Sequence, residues 1–76
     1  MIYVDNLKKY KRQSYCHMIA DSIEELHEFA NKIGIHRRWF HKNHYDLRAE
    51  ERLKAVQNGA IETTSKQLVK ILKKMS

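Results

Sequence analysis

Only two glycines, Gly34 and Gly59, and no proline punctuate the 76 residues, so composition breaks this chain in very few places. Both glycines stand where a helical pattern of apolar residues stops, and both read as helix terminators. The segment ending at Gly34 opens with Ser22-Ile23-Glu24-Glu25, a capping box in which the hydroxyl and the carboxylate satisfy exposed amides reciprocally. Ile23, Leu26, Ala30 and Ile33 then recur at helical spacing with Phe29 on the flank, which predicts a helix over 22–33. A second helix follows Asp46, with Glu50 and Glu51 at its positive end and Ala49, Leu53 and Val56 as its apolar stripe before Asn58-Gly59. A third begins at Thr64-Ser65-Lys66-Gln67, again a capping box, and is expected to bury Leu68, Leu72 and Met75.

Between these helices lie short runs of strand character: Ile2 to Val4, Tyr15 to Ala20, a weaker one at His44 to Asp46, and Ala60 to Thr63. Strand and helix in alternation predict an α/β fold, a single domain over residues 1–76 with a small, mainly parallel sheet of three to four strands and about three helices. Residues 6–14 are polar and basic and read as an exposed loop, while residues 35–43 fit a loop, a short helical turn or an irregular approach to the third strand.

A lone cysteine, Cys16, allows no internal disulfide, and small exported domains usually depend on such staples, so the cytoplasm is the expected compartment. No apolar run approaches the roughly 20 residues that span a bilayer, and Met1-Ile2-Tyr3-Val4-Asp5 lacks a signal-peptide layout, so no membrane partner is expected. Fifteen Lys and Arg against nine Asp and Glu give a net charge of +6, a field that attracts phosphate-bearing partners or an acidic protein surface. The excess positive charge lies in three clusters: Lys8, Lys9, Lys11 and Arg12; Arg37, Arg38 and Lys42; and Lys66, Lys70, Lys73 and Lys74. The last reads as the solvated face of a helix. The first two are interleaved with Tyr10, Trp39 and Phe40, a mixture that suits contact with a base and its phosphate.

In a parallel sheet the carboxyl ends of the strands share one edge, where ligands usually bind. That edge would receive Asp5-Asn6, Asp21-Ser22, Asp46 and Thr64-Ser65. Ser22, Thr64 and Ser65 read as ordinary helix caps; Asp46 fits a helix cap as well as a ligand, and Asp5 and Asp46 are the candidate ligands of a divalent metal. Among five histidines, His27 falls on the apolar face of its helix and reads as a core imidazole with one hydrogen bond. His17 points with Tyr15 and Ile19, away from Cys16, Met18 and Ala20. His44 and Asp46, two apart, project to one side of a strand as a base with its orienter or as two metal ligands. His44 and His17 are therefore the candidate proton carriers. Arg37, Arg38, Trp39 and Tyr45 are the candidate phosphate or ligand contacts. Two isolated glycines supply no phosphate-cradling loop, and adjacent strand residues such as Cys16 and His17 face opposite ways and make no nucleophile pair.

Taken in order, Tyr3-Val4-Asp5, Cys16-His17-Met18-Ile19-Ala20-Asp21, Glu25-Leu26-His27-Glu28-Phe29-Ala30, Gly34, Trp39-Phe40, His44-Tyr45-Asp46-Leu47, Gly59-Ala60 and Ser65-Lys66-Gln67-Leu68-Val69 resemble the short bacterial and phage proteins grouped as domain of unknown function 4031. The resemblance runs through nearly the whole chain. Two positions depart from the family pattern, with Tyr15 where a tryptophan and His41 where a glutamine is usual. The resemblance implies a signature of His17, Asp21, His27, Trp39, His44, Tyr45 and Asp46, and it implies no reaction.

The expected function is binding of a phosphate-containing ligand, a nucleotide or nucleic acid, at the carboxyl edge of the sheet. In its enzymatic form this includes metal-assisted hydrolysis. The alternatives are an interaction or inhibitor protein that acts through the basic and aromatic surface at 36–42, or a protein that sequesters a nucleotide without turnover. A chain this small also gains core by pairing with a second copy, so a homodimer is a further expectation.

Overall fold

The computed structural model describes residues 1–75; the side chain of Met75, expected in the core, lies outside the described residues. Six strands and three helices follow the order β1 (Ile2–Val4), β2 (Lys8–Tyr10), β3 (Gln13–Ala20), α1 (Ile23–Lys32), β4 (Phe40–His41), β5 (His44–Arg48), α2 (Ala49–Gln57), β6 (Ile61–Glu62) and α3 (Ser65–Met75), with a 3-10 turn at Arg37–Trp39 before β4. The strands form one sheet in the order β4-β5-β3-β1-β6, and β2 pairs with the first half of β3.

The fold class is α/β, but the sheet is mixed and mostly antiparallel, which corrects the expectation of a mainly parallel sheet. Among the described residues only β1 and β6 pair in parallel, whereas β1 with β3, β2 with β3, β3 with β5 and β4 with β5 are antiparallel. Two short hairpins account for the difference. Residues 6–14, read as a loop, contain β2, which folds back on β3 through a two-residue turn at Lys11-Arg12; β1 and β3 are then joined by too few residues for the crossover that parallel neighbours require. After α1 the chain enters β4, which runs in the direction of β3, and then reverses through Lys42-Asn43 into β5. The crossover helix is present, but the strand it delivers is β4, and β5 slips between β4 and β3 in the opposite sense. Lys11 and Lys42 both take φ of 58°, a left-handed turn geometry that sequence usually signals with glycine or asparagine.

The helices begin and end close to the expected positions. The Ser22 hydroxyl accepts the Glu25 amide at 3.1 Å and the Thr64 hydroxyl accepts the Gln67 amide at 3.2 Å. Glu25 does not return the bond to Ser22, because its carboxylate accepts from the Met1 amino group at 2.7 Å. Gly34 and Gly59 follow α1 and α2 with φ of 81° and 103°, the left-handed exit that glycine permits. α2 starts at Ala49, with the Glu51 carboxylate accepting the Arg48 amide at 2.9 Å, so Asp46 stands inside β5 and caps nothing. Its buried side also differs from the expected stripe. Ala55 is the buried residue of α2 while Ala49 and Leu53 are exposed, because Arg52 turns inward to donate from Nε to the Asp5 carbonyl at 2.9 Å and from Nη1 to Glu62 at 3.1 Å.

One face of the sheet carries the main core. Ile2, Val4, Cys16, Met18, Ala20, Tyr45 and Leu47 pack with Leu26, Ala30 and Ile33 of the α1 region and Ala55 of α2; each large aliphatic side chain so buried contributes about 1.5–3 kcal/mol. The opposite face presents Tyr3, Asp5, Tyr15, His17, Ile19, His44 and Asp46. α3 lies over part of it, where Ile19 and Leu68 are buried and the Ser65 hydroxyl donates to Asp5 at 2.9 Å. The rest of that face is open. Among the described residues no helix is long and apolar enough to cross a membrane.

Candidate functional site

Register places the polar residues of three strands in one row. His17 of β3 pairs with Asp46 of β5, and the Asp5 amide, one residue beyond β1, donates to the His17 carbonyl at 3.2 Å. Directly opposed residues in antiparallel strands project to the same side, so Asp5, His17 and Asp46 share the open face. His44, two residues before Asp46, joins them. The candidate site thus lies on the face of the sheet, not at a carboxyl edge as a parallel sheet would have placed it.

Asp5 is fully buried, and both of its carboxylate oxygens are engaged by groups of the chain itself. One carboxylate oxygen accepts the His17 backbone amide at 2.6 Å; the other accepts His17 Nδ1 at 2.9 Å and the Ser65 hydroxyl at 2.9 Å. Burial pushes the Asp5 pKa up, but the bonds from the His17 side chain and backbone and from Ser65 outweigh it and hold the group below the ordinary carboxylate value. Asp5 therefore remains ionised, and an acceptor at Nδ1 fixes the His17 proton there and leaves Nε2 with a free lone pair.

His44 is held in the same manner. Its Nδ1 donates to the Asn43 side-chain carbonyl at 2.9 Å, and its Nε2 lies 3.3 Å from Asp46 Oδ1. The His17 and His44 rings meet edge to face with centroids 4.8 Å apart. Burial lowers the His44 pKa, with Asp46 opposing the shift and His17 and His41 adding to it. One donor atom from each of His17, His44 and Asp46 lies within 4.8 Å of the others.

Beside this cluster opens a cavity of about 570 Å³ lined by Lys8, Lys9, Tyr10, Tyr15, His17, Trp39 and Asp46. A second, of about 350 Å³, includes Asp5, Lys8, His17, His44 and Ser65, with Leu68, Val69 and Leu72 of α3 as an apolar wall. Trp39 is half-buried, and the guanidinium groups of Arg38 and Arg48 stand 5.6 and 6.0 Å from its ring.

Of the residues expected from sequence, His17, His44, Asp46 and Trp39 converge, with Arg38 against Trp39 and Asp5 behind His17. Arg37 and Tyr45 do not join them. Tyr45 is 1% exposed, faces the core, and shares a 2.7 Å hydrogen bond with His27 Nδ1. Arg37 lines a separate cavity with His27 and Tyr45. Asp21 sits at the far end of β3, where it accepts from the Tyr3 hydroxyl at 3.2 Å; the antiparallel sense of β3 removes it from the site. Lys8, Lys9 and Tyr10 belonged to a basic cluster with a visible aromatic, but their place in a strand was hidden by the missing turn signal. Asn43 is an outer partner that no sequence pattern marked, and Ser65, read from sequence as a helix cap, is the other.

Fold and site together define a small mixed α/β protein whose open sheet face carries two oriented imidazoles, a carboxylate and a basic, aromatic cavity. The chain belongs to the family described as Protein of unknown function (DUF4031), whose model matches residues 2–75. No curated protein and no solved structure gives a significant match.

Proposed function

We propose that the protein binds a phosphate-bearing nucleotide, free or at the end of a nucleic-acid strand, on the open face of the sheet. The observation that carries this reading is the 570 Å³ cavity, whose lining joins three aromatic residues, Tyr10, Tyr15 and Trp39, to Lys8 and Lys9 and includes His17 and Asp46. Its volume suits a small molecule. Aromatic faces accept any base by stacking, and lysines supply point charges for phosphate oxygens. The net charge of +6 favours encounter with such anions, and the cytoplasm is the compartment that offers them.

In a hydrolytic form of this function that works without a metal at Nε2, His17 is the proton carrier for the attacking water. Asp5 holds its ring by Nδ1 and stabilises the imidazolium that forms when Nε2 takes a proton. Lys8, which lines both cavities, would hold the phosphate against that nitrogen.

Trp39 is the only tryptophan, so its fluorescence reports the cavity directly. Titration with nucleoside monophosphates and short single-stranded oligonucleotides should change the emission in a saturable manner, and Trp39→Phe should abolish the signal while calorimetry still detects binding. Replacing Lys8 and Lys9 together with alanine should weaken binding at least tenfold and reduce its salt dependence. A parent protein whose emission and heat stay unchanged by all of these at millimolar concentration contradicts the reading. Recovery of unaltered nucleotide after incubation separates binding without turnover from hydrolysis.

A further inference from the structure

We propose that His17 Nε2, His44 Nε2 and a carboxylate oxygen of Asp46 form a binding site for one divalent transition metal ion of the zinc class, with Asp5 and Asn43 as its outer-sphere partners. The proposal rests on donor type, donor spacing and the outer shell, and it stands whether or not the cavity takes a nucleotide.

Two imidazole nitrogens and one carboxylate oxygen suit zinc and its neighbours, whereas magnesium prefers oxygen ligands throughout. The spacing suits the same ion. Bonds of about 2.0–2.1 Å in a tetrahedron place neighbouring donors about 3.3–3.4 Å apart, and His44 Nε2 already lies 3.3 Å from Asp46 Oδ1. One ligand atom from each of the three residues falls within 4.8 Å of the others, and small side-chain adjustments that keep His17 Nδ1 on Asp5 close the triangle around an ion. The backbone needs no change, because His17 and Asp46 are fixed as a register pair.

The outer shell is the independent observation. Metal-bound histidines usually donate their second ring nitrogen to a carboxylate or carbonyl, which sets the tautomer and raises the basicity of the ligating nitrogen. Both histidines do so here: His17 Nδ1 to Asp5 at 2.9 Å and His44 Nδ1 to the Asn43 carbonyl oxygen at 2.9 Å. Asp5 is itself fixed by the Ser65 hydroxyl at 2.9 Å. A chance encounter of two surface histidines does not require two separate oxygen acceptors, each oriented to free Nε2. With three protein donors, a fourth position remains for water or a ligand oxygen, and the larger cavity borders it through His17 and Asp46.

The test uses the full chain freed of metal by chelator and titrated with zinc chloride by calorimetry, with cobalt(II) as a visible-absorption probe. The expected result is one equivalent of zinc bound with a micromolar or tighter Kd, tetrahedral-type cobalt bands, and no competition from millimolar magnesium. His44→Ala and Asp46→Asn should each weaken zinc at least tenfold, and Asp5→Asn by about 10- to 100-fold through the His17 ring. Asp46 is partly exposed, with its side chain at 40%, so Asp46→Asn keeps the fold and carries the test if another variant unfolds; circular dichroism checks each. A parent that binds no zinc at 100-fold molar excess overturns the proposal. So does zinc binding that both His44→Ala and Asp46→Asn leave unchanged. Running the Trp39 titration both in chelator and with zinc separates the two readings: no nucleotide response in either, with zinc binding seen by calorimetry, overturns only the ligand reading, and a nucleotide response from a protein that binds no zinc overturns only the metal site.

Discussion

Replacing Asp5 with alanine takes one buried carboxylate from three donors: the His17 amide at 2.6 Å, His17 Nδ1 at 2.9 Å and the Ser65 hydroxyl at 2.9 Å. Hydrogen bonds to a charged group are worth about 1.5–3 kcal/mol each, but the terms do not simply add. The His17 side chain is 43% exposed and can turn to water, whereas the backbone amide and Ser65 are left against protein. Two such orphaned donors cost about 1–3 kcal/mol each, and relief of the carboxylate's own desolvation returns part of this. The expected loss is about 3–4 kcal/mol, in line with removal of one member of a buried pair. At about 0.05–0.15 kcal/mol per residue a chain of this length has only about 4–11 kcal/mol in total, so Asp5→Ala should unfold at a much lower urea concentration. Asp5→Asn keeps an acceptor for the His17 amide and should lose only about 1–2 kcal/mol. The assay is urea denaturation followed by circular dichroism, with equal slopes for all three proteins. The pH dependence supplies a second check. The folded Asp5 pKa lies below the ordinary 3.8, so its contribution is complete above that value and disappears as pH falls through the depressed folded pKa. The parent should therefore lose stability more steeply below about pH 4 than Asp5→Asn does. An Asp5→Ala protein within 1 kcal/mol of the parent would refute the view that this carboxylate ties β1, β3 and α3 together.

Three further outcomes follow from other parts of the molecule. Burial, aided by Arg37, lowers the His27 pKa from its usual 6.5, so the unfolded chain binds more protons just below that pH; stability should fall as pH drops through about 6.5, and His27→Gln should flatten that slope in urea titrations at fixed pH steps. Lys11→Gly and Lys42→Gly relieve left-handed φ at two hairpin turns and should each raise stability by about 0.5–1 kcal/mol net of the added unfolded-state entropy; a thermal midpoint lowered by both substitutions contradicts the turn geometry. Burial raises the Cys16 thiol to about 12 and leaves it 1% exposed, so thiol reagents at neutral pH should label it only at the rate of unfolding, and fast labelling of native protein contradicts the packing of β3.

The parts of the fold governed by local rules were legible in the sequence. Ser22 and Thr64 announced their helices through side-chain chemistry that acts within one turn, and Gly34 and Gly59 announced helix ends through a backbone conformation few other residues accept. Pairing sense was not legible, because it depends on two turns that place lysine where glycine or asparagine is customary. Lys11 and Lys42 give no turn signal, so β2 reads as a loop, β4 is not visible, and the strands that remain read as parallel neighbours. The α2 stripe failed for a related reason: Arg52 has two distant partners, Asp5 and Glu62, and no helical period reveals them. The site was legible in its members and not in its arrangement. His17 and His44-x-Asp46 stood out by residue type and alternation, yet their convergence depends on the β3–β5 register. Asp5 was visible as a carboxylate that caps no helix, but only the fold shows that it holds His17 from behind. Tyr45 and Arg37 carried suitable chemistry and fell on the wrong side, since an even–odd shift along β5 separates Asp46 from Tyr45.

The most direct test of the account is native mass spectrometry of the full chain with zinc and adenosine 5′-monophosphate, alongside a folded His44→Ala/Asp46→Ala double variant. The parent should carry one zinc ion and one nucleotide per chain, and the variant should lose the metal while its basic, aromatic cavity still retains weakened nucleotide. A parent that flies bare under conditions that keep it folded, or a variant loaded with metal and nucleotide to the same extent as the parent, would contradict the assignment of the open sheet face as the functional site.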